Sequence, residues 1–466
     1  MRHLAFAAAL ALCAASAPGE VAVDLSAQRG EVNPRLHGAH WCPRYASSSA
    51  NAARDAAALA KLNLAAWRSH DAPLVAGGQR VVDTHFVFPL LHLDPEDPKN
   101  YFFKATDNLL RSVQEGCKMK VFYRLGTSIE HTGDRNATNT LNPRDHERYA
   151  EALAGIVRHY TRGWADGYKW DIEYWELFNE PNISPCWRGT RAEFIDLFVV
   201  CLKRLKGEFP ELKFGGPALA SLDEGFFREL LSACRKAGAK PDFLSWHFYG
   251  IDTSVPGREA ARLKAIAAEC GFPDVEVVFD EWHFLAENNW DAIRGDREDY
   301  IRTHTGPASM NGTDSAAFTL AVEAKMQDSC ISQAFFYGCG FEWDWGYFDA
   351  ASRRYVKPYY AVQMMGELIG DCPKRVACSS SDKGVTPFAA VSADGRRASV
   401  LVADYRSGLD KIEVKLCGAE GWRLSDVRVL DDKNDLAPFA ATLDGDRIVL
   451  KKNDAFSSCF AIRLEK

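Results

Sequence analysis

The chain has no surplus of positive charge: 56 Lys and Arg stand against 63 Asp and Glu, a net charge of −7. That excludes the electrostatic footprint of a nucleic-acid-binding protein. None of its 13 cysteines forms a Cys-x-x-Cys, so neither a zinc ribbon nor thioredoxin-type redox chemistry is indicated. The phosphate-cradling patterns G-x-G-x-x-G and G-x-x-x-x-G-K-S/T are missing, as are the zinc motif H-E-x-x-H and the nucleophile elbow G-x-S-x-G. Dinucleotide enzymes, P-loop enzymes, zincins and α/β hydrolases are therefore disfavoured. The histidines show no metal-ligand spacing, and no cofactor or metal is expected. Beyond the amino terminus no apolar run approaches the ~20 residues of a membrane span. There are no repeats, low-complexity tracts or Pro/Ser-rich linkers. Nothing in the sequence indicates an oligomeric state.

What is present fits a globular chain of two or three domains: 466 residues, 47% hydrophobic and 26% charged. The start, MRHLAFAAALALCAASA, has a basic end, an apolar stretch and small residues at Ala15 and Ala17. It reads as a secretory signal over residues 1–17, which implies a secreted or periplasmic protein. Secretion permits disulfides, and Cys330 with Cys339, or Cys372 with Cys378, are conceivable pairs. Cys201 and Cys234 sit in helical apolar patterns and read as small core residues.

From 34 to 370, short apolar or aromatic runs alternate with helical patterns. The strand candidates are 35–41, 63–70, 120–126, 174–180, 213–219, 242–249, 275–282 and 333–338. Between them lie amphipathic segments. In 144–160, for example, Tyr149, Leu153, Ile156, Val157 and Tyr160 form one stripe. Another, 106–117, begins at a Thr suited to capping. Eight strands each followed by a helix predict a (β/α)8 TIM barrel. The long connections after the second, third and seventh strands fall on the carboxyl side, where barrels build active sites. From 371 to 466 the texture becomes short β runs, with an Asp394-Gly395 hairpin signal, and predicts an antiparallel β-sandwich. Residues 18–33 are a candidate extra strand of that domain.

Two segments carry chemistry. YWELFNEPN (174–182) places Asn179-Glu180 at the end of the fourth strand, and VVFDEWH (277–283) places Glu281 at the end of the seventh. Two carboxylates facing each other across a barrel mouth suit glycoside hydrolysis with retention. A charge at an apolar strand end is not the cheap choice for a merely solvated residue. Period-two alternation separates Asp280 from Glu281, so only one of them is expected to point inward. Glu176, four residues before Glu180, is expected to face inward at a deeper level.

WELFNEPN resembles the acid/base motif of clan A glycoside hydrolases. Together with WRSHDA (67–72) and VVDTHFVFPLLHLD (81–94), it resembles glycoside hydrolase family 39, the family of β-xylosidases and α-L-iduronidases. The resemblance covers the barrel and, in outline, the sandwich. It implies a double displacement with Glu180 as acid/base and Glu281 as nucleophile, with Asn179 bonding the sugar 2-hydroxyl. The eighth-strand region GCGFEWDWGYFD departs from the family pattern, which bears on sugar specificity.

The mechanism needs Glu281 ionised and Glu180 protonated, so Glu180 is expected to have a raised pKa. Arg68 is placed to keep Glu281 ionised and Tyr249 to donate a hydrogen bond to it. His247 is expected to contact sugar hydroxyls. His85 resembles a sugar-binding position of the family, with loop ordering as the alternative. Trp282, Trp343 and Trp345 are candidate stacking platforms, with packing as the alternative. The expected partner is an oligosaccharide or glycoside, with β-xylosidase activity leading. Other family activities (α-L-iduronidase, β-glucosidase, β-galactosidase, α-L-arabinofuranosidase), a transglycosylase and a non-catalytic carbohydrate-binding barrel are the alternatives.

Overall fold

The computed structural model describes residues 17–40, 56–70, 72, 80–128, 139–184, 186–338, 340, 345–349 and 354–466. All but the last residue of the expected signal segment lie outside them. The first strand, β1 (Glu20–Glu31), does not enter the barrel. The barrel strands are β2 (Gly38–His40), β3 (Ala66–Arg68), β4 (Lys120–Leu125) and β5 (Tyr174–Leu177), then β6 (Lys213–Leu219), β7 (Phe243–Gly250), β8 (Glu276–Phe284) and β9 (Ile331–Phe336). Each pairs with the next in parallel, and β9 pairs with β2 to close the cylinder. This is the expected (β/α)8 barrel.

The strands sort their side chains by alternation. Ala66, Phe122, Tyr174, Phe243, Val278 and Phe335 form an apolar layer inside the barrel. Two residues further along their strands come Arg68, Arg124, Glu176, Ser245 and Asp280, all fully buried. The intervening residues, among them Trp67, Trp175, Leu244 and Phe279, pack outward against the helices. One step along each strand thus moves from an apolar floor to a polar layer just below the mouth.

The helices have identifiable ends. Arg191–Glu208 starts with a reciprocal capping box between Thr190 and Glu193. Glu224–Ala237 is capped by Asp223 and stops at Gly238, whose φ of 67° suits a residue without Cβ. The helix predicted to open at Thr106 instead starts at Lys104. Thr106 is buried and donates to the Val81 carbonyl rather than capping.

A short antiparallel pair, β10 (Phe348–Asp349) and β11 (Arg354–Tyr355), follows the barrel strands. The carboxyl-terminal strands are β12 (Lys374–Ser380), β13 (Val385–Val391), β14 (Arg397–Asp404), β15 (Lys411–Cys417) and β16 (Arg423–Leu430), then β17 (Asp435–Pro438), β18 (Leu443–Asp444), β19 (Arg447–Lys451) and β20 (Ser458–Glu465). With β1 they form one curled ten-stranded sheet, antiparallel apart from the β1–β15 pair. One face encloses Val21, Val23, Val400, Val414, Ile448 and Ile462. The other carries Phe388, Leu401 and Leu430 onto Ala317, Leu320, Met364 and Met365 of the barrel helices Thr313–Met326 and Lys357–Asp371. Cys330, Cys372 and Cys378 are free thiols, so neither conceivable disulfide forms, and Cys339 lies outside the described residues. Cys201 and Cys234 are buried in the core.

Candidate active site

Glu180 is not on a strand. β5 ends at Leu177, and the chain then turns sharply, with φ of 73° at Phe178 and 47° at Glu180. Non-glycine residues in this region are strained, and such strain concentrates at functional sites. Neighbouring strands hold the turn. Phe178 N–H donates to the Leu125 carbonyl at 2.9 Å and Glu180 N–H to the Ala218 carbonyl at 2.8 Å. Asn182 Oδ1 accepts from Ala220 N–H at 3.0 Å.

Glu281 owes its orientation to a β-bulge. Trp246 is paired with Phe279, but the next residue, His247, is paired with Glu281. Asp280 is the extra residue on β8, and the register with β9 breaks at the same place. A bulge interrupts alternation, so Asp280 and Glu281 both reach the barrel interior, 0% and 5% exposed. The expectation that only one of them points inward is corrected on this ground.

Arg68 gathers the acids. Its Nε donates to Glu176 Oε2 at 2.6 Å, its Nη2 to Asn179 Oδ1 at 2.9 Å and its Nη1 to Glu281 Oε2 at 3.3 Å. Nη2 also lies 3.1 Å from Asp280 Oδ2. Tyr249 donates its hydroxyl to Glu281 Oε1 at 2.5 Å. His247 stands between the two key carboxylates, with Nδ1 2.9 Å from Glu180 Oε1 and 3.6 Å from Glu281 Oε1. Its Nε2 is 3.4 Å from Asp280 Oδ2. One oxygen of each glutamate and one His247 nitrogen all lie within 4.8 Å of one another. Among the described residues this is the set that offers ligands to a metal ion. The Arg68 guanidinium beside Glu281 works against a cation there.

Burial raises the Glu281 carboxyl to about 7, against the pull of His247, with the charge of Glu180 adding to the rise. Burial likewise raises Glu176 to about 8 despite Arg68, so it keeps its proton at neutral pH. Asp280 goes the other way: burial opposes its charge, but Arg68 and His247 overcome that and lower its pKa. Burial disfavours the His247 imidazolium, yet Glu281, Asp280 and Glu180 hold its pKa well above the ordinary histidine value. His40 and His70 are lowered by burial and by the nearby Arg68, so both are neutral.

Residues 81–277 match the family model described as Glycosyl hydrolases family 39. Over those residues the chain is similar to glycoside hydrolase family 39. The match contains Asn179 and Glu180 and ends four residues before Glu281. A "Beta-xylosidase" of Caldicellulosiruptor saccharolyticus is 29% identical over 162 residues, 31% of this chain and 32% of the relative. One from Geobacillus stearothermophilus is 27% identical over 114 residues, 24% of this chain and 22% of the relative. These alignments span a third or less of the curated relatives. Among solved structures, a glucosidase from Croceicoccus marinus superposes with a TM-score of 0.75 at 21% identity, covering 97% of this chain and 100% of that one. A monomeric beta-xylosidase from Caulobacter crescentus CB15 gives 0.67 at 16% identity, covering 96% and 99%. The two superpositions establish the fold.

Within this barrel, the structure brings Glu180, Glu281, Asn179, Arg68, His247 and Tyr249 together. It corrects two expectations. His247 is fully buried and bridges carboxylates, so it does not present itself to sugar hydroxyls. Trp282 is 1% exposed and stacked on Phe279 in the layer between barrel and helices, so it offers no face to a ligand. Beyond the bulge, alternation turns it outward. Trp345 lies against Tyr249 and His283, with ring centroids at 5.6 and 5.3 Å. Trp343 lies outside the described residues. His85 sits on the short helix Thr84–Val87, with Nδ1 3.5 Å from Thr127 Oγ1 and Nε2 3.9 Å from Asp83 Oδ2.

Sequence reasoning missed Cys186, whose Sγ is 3.4 Å from Glu180 Oε2. It also missed Trp290, 36% exposed and 4.9 Å from the Tyr249 ring. Cys186 lies six residues after Glu180, and the turn-rich NEPNISPC stretch was the available signal. Trp290 lies on the long seventh connection, already marked as site-forming.

Proposed function

We propose that the protein is a retaining, exo-acting glycoside hydrolase of β-xylosidase type. The observation that carries this reading is the approach of Glu180 and Glu281 to within 4.8 Å, oxygen to oxygen. Retention requires carboxyl groups about 5–5.5 Å apart, whereas inversion needs roughly 6.5–9.5 Å to admit a water.

Charge balance supports the division of roles. Arg68 and His247 supply two positive charges, and Glu176 is protonated. Glu180, Asp280 and Glu281 remain, one carboxylate more than the cations neutralise. Arg68 and Tyr249 both donate to Glu281, which favours its ionised form and suits it to the role of nucleophile. In the first step the Glu281 carboxylate attacks the anomeric carbon. Glu180 passes its proton to the departing oxygen as the glycosidic bond breaks. The resulting ester removes the charge of Glu281, and Glu180 becomes a base. It takes a proton from water, the water oxygen bonds to the anomeric carbon, and Glu281 leaves as carboxylate. Arg68 holds Asn179 by its amide oxygen, which leaves the amide N–H for a sugar hydroxyl.

The names of the two curated relatives favour a β-xyloside or xylo-oligosaccharide substrate. A secreted or periplasmic location belongs to the same proposal and rests on the pattern of residues 1–17. A panel of nitrophenyl glycosides tests the reading, with the β-xyloside expected to turn over fastest. Glu180→Ala should lose about 10²–10⁴-fold on poor leaving groups. Glu281→Ala should be inactive until azide is added, and the glycosyl azide formed should have inverted configuration. Full turnover in both variants would overturn the assignments.

A further inference from the structure

The two oxygens of Glu180 have different neighbours. Oε1 faces the His247 imidazolium at 2.9 Å, so Oε1 accepts a hydrogen bond there. The transferable proton is thereby left to Oε2, the oxygen beside Cys186 Sγ at 3.4 Å. Cys186 is 4% exposed, and burial pushes its thiol pKa far up, so it stays uncharged. A neutral thiol is a weak donor and a weak acceptor. It fills the space beside Oε2, excludes water, and neither draws the proton away nor strongly stabilises the carboxylate.

We propose that Cys186 is a positioning residue for the acid/base: it holds Glu180 Oε2 toward the leaving group with a bond weak enough to be exchanged for the departing oxygen. This rests on the reading of Glu180 given above. The charged and titratable groups around Glu180 are His247 and Tyr249 from β7, Glu281 from β8, Arg68 from β3 acting through Glu281 and Asn179, and Arg124 from β4, which acts on Cys186 itself. None of them contacts Oε2 in place of the thiol among the described hydrogen bonds.

The test is the pH dependence of kcat/KM for Cys186→Ser and Cys186→Ala on two β-xylosides, one with a phenyl and one with a dinitrophenyl leaving group. A serine hydroxyl is a stronger donor to the ionised carboxylate. It should lower the alkaline limb with the phenyl substrate by about half to one pH unit. Alanine removes the donor and should raise that limb. Both shifts should vanish with the dinitrophenyl substrate, whose departure needs no proton. Thermal unfolding of each variant monitors the fold. A thiol that only packs the loop would move both substrates alike, or both variants in one direction, and either result overturns the proposal. So do unchanged limbs in both variants while Glu180→Ala still loses more on phenyl than on dinitrophenyl. If Glu180→Ala treats the two leaving groups alike, the acid/base reading fails first and takes this one with it.

Discussion

At the scale of single residues, Arg68 is the centre of the site. It touches Glu176, Asn179 and Glu281 and sits beside Asp280 with no exposure of its own. Removing one member of such a buried cluster leaves the rest uncompensated. Tyr249 is the cleaner probe, because Tyr249→Phe keeps the ring packed and deletes only the donor to Glu281 Oε1. A hydrogen bond to a charged group is worth about 1.5–3 kcal/mol. kcat/KM should therefore fall about ten- to a hundredfold. The acid limb should move to higher pH, because losing a donor raises the pKa of the carboxylate it served. A pH series on a nitrophenyl xyloside reads both effects. Glu180 was legible in the sequence because Asn-Glu-Pro after an apolar strand is a local pattern. The role of His247 was not legible. Its neighbours come from the β5 turn and from β8, and only the closed barrel sets them around one ring.

At the scale of elements, the bulge on β8 decides the chemistry. Strict alternation would continue Val278 and Asp280 inward and send Glu281 out among the helices. One extra residue brings Glu281 in beside Asp280 and turns Trp282 out. Nothing in VVFDEWH announces it, since a bulge is a property of a strand pair. A second element-scale constraint lies at Gly366, inside the helix Lys357–Asp371. Propensity alone favours Gly366→Ala by about 1 kcal/mol. But a Cβ there would collide with the Leu62 backbone carbonyl, and His37 Nε2 lies 3.2 Å from it. The clash wins, because backbone cannot move aside as a side chain can. Overpacking of this kind costs about 1–3 kcal/mol, so a lower urea midpoint is expected. An unchanged or higher midpoint would show that the helix shifts freely against the barrel.

At the scale of the whole molecule, the chain's two ends meet in one sheet. β1 pairs with β12 on one side and β15 on the other, although hundreds of residues separate them in sequence. The sheet's outer face buries Ala316, Ala317, Leu320, Met364, Met365 and Leu368 of the barrel helices. The junction also holds the Arg406–Asp314 ion pair at 2.6 Å and the Tyr405 hydroxyl bonded to the Ile251 carbonyl at 2.8 Å. A chain ending at Asp371 would expose that apolar surface and leave β1 without either neighbour. It should be recovered insoluble or unfold without a cooperative transition, while the full chain unfolds as one unit in calorimetry. A soluble truncated barrel with the full chain's Tm would contradict this.

The amino-acid sequence by itself determined the barrel, the appended sheet and the place of Glu180 at the end of the fourth barrel strand. All three are written in short-range patterns: runs of period 2 and 3.6, turn residues, and one compact motif. Tertiary structure alone decided which face Glu281 presents, what His247 holds, that Trp282 is buried and that Cys186 lies against Glu180. Each of these depends on where one strand or turn stands beside another, and the register between separate strands is not encoded in either of them alone.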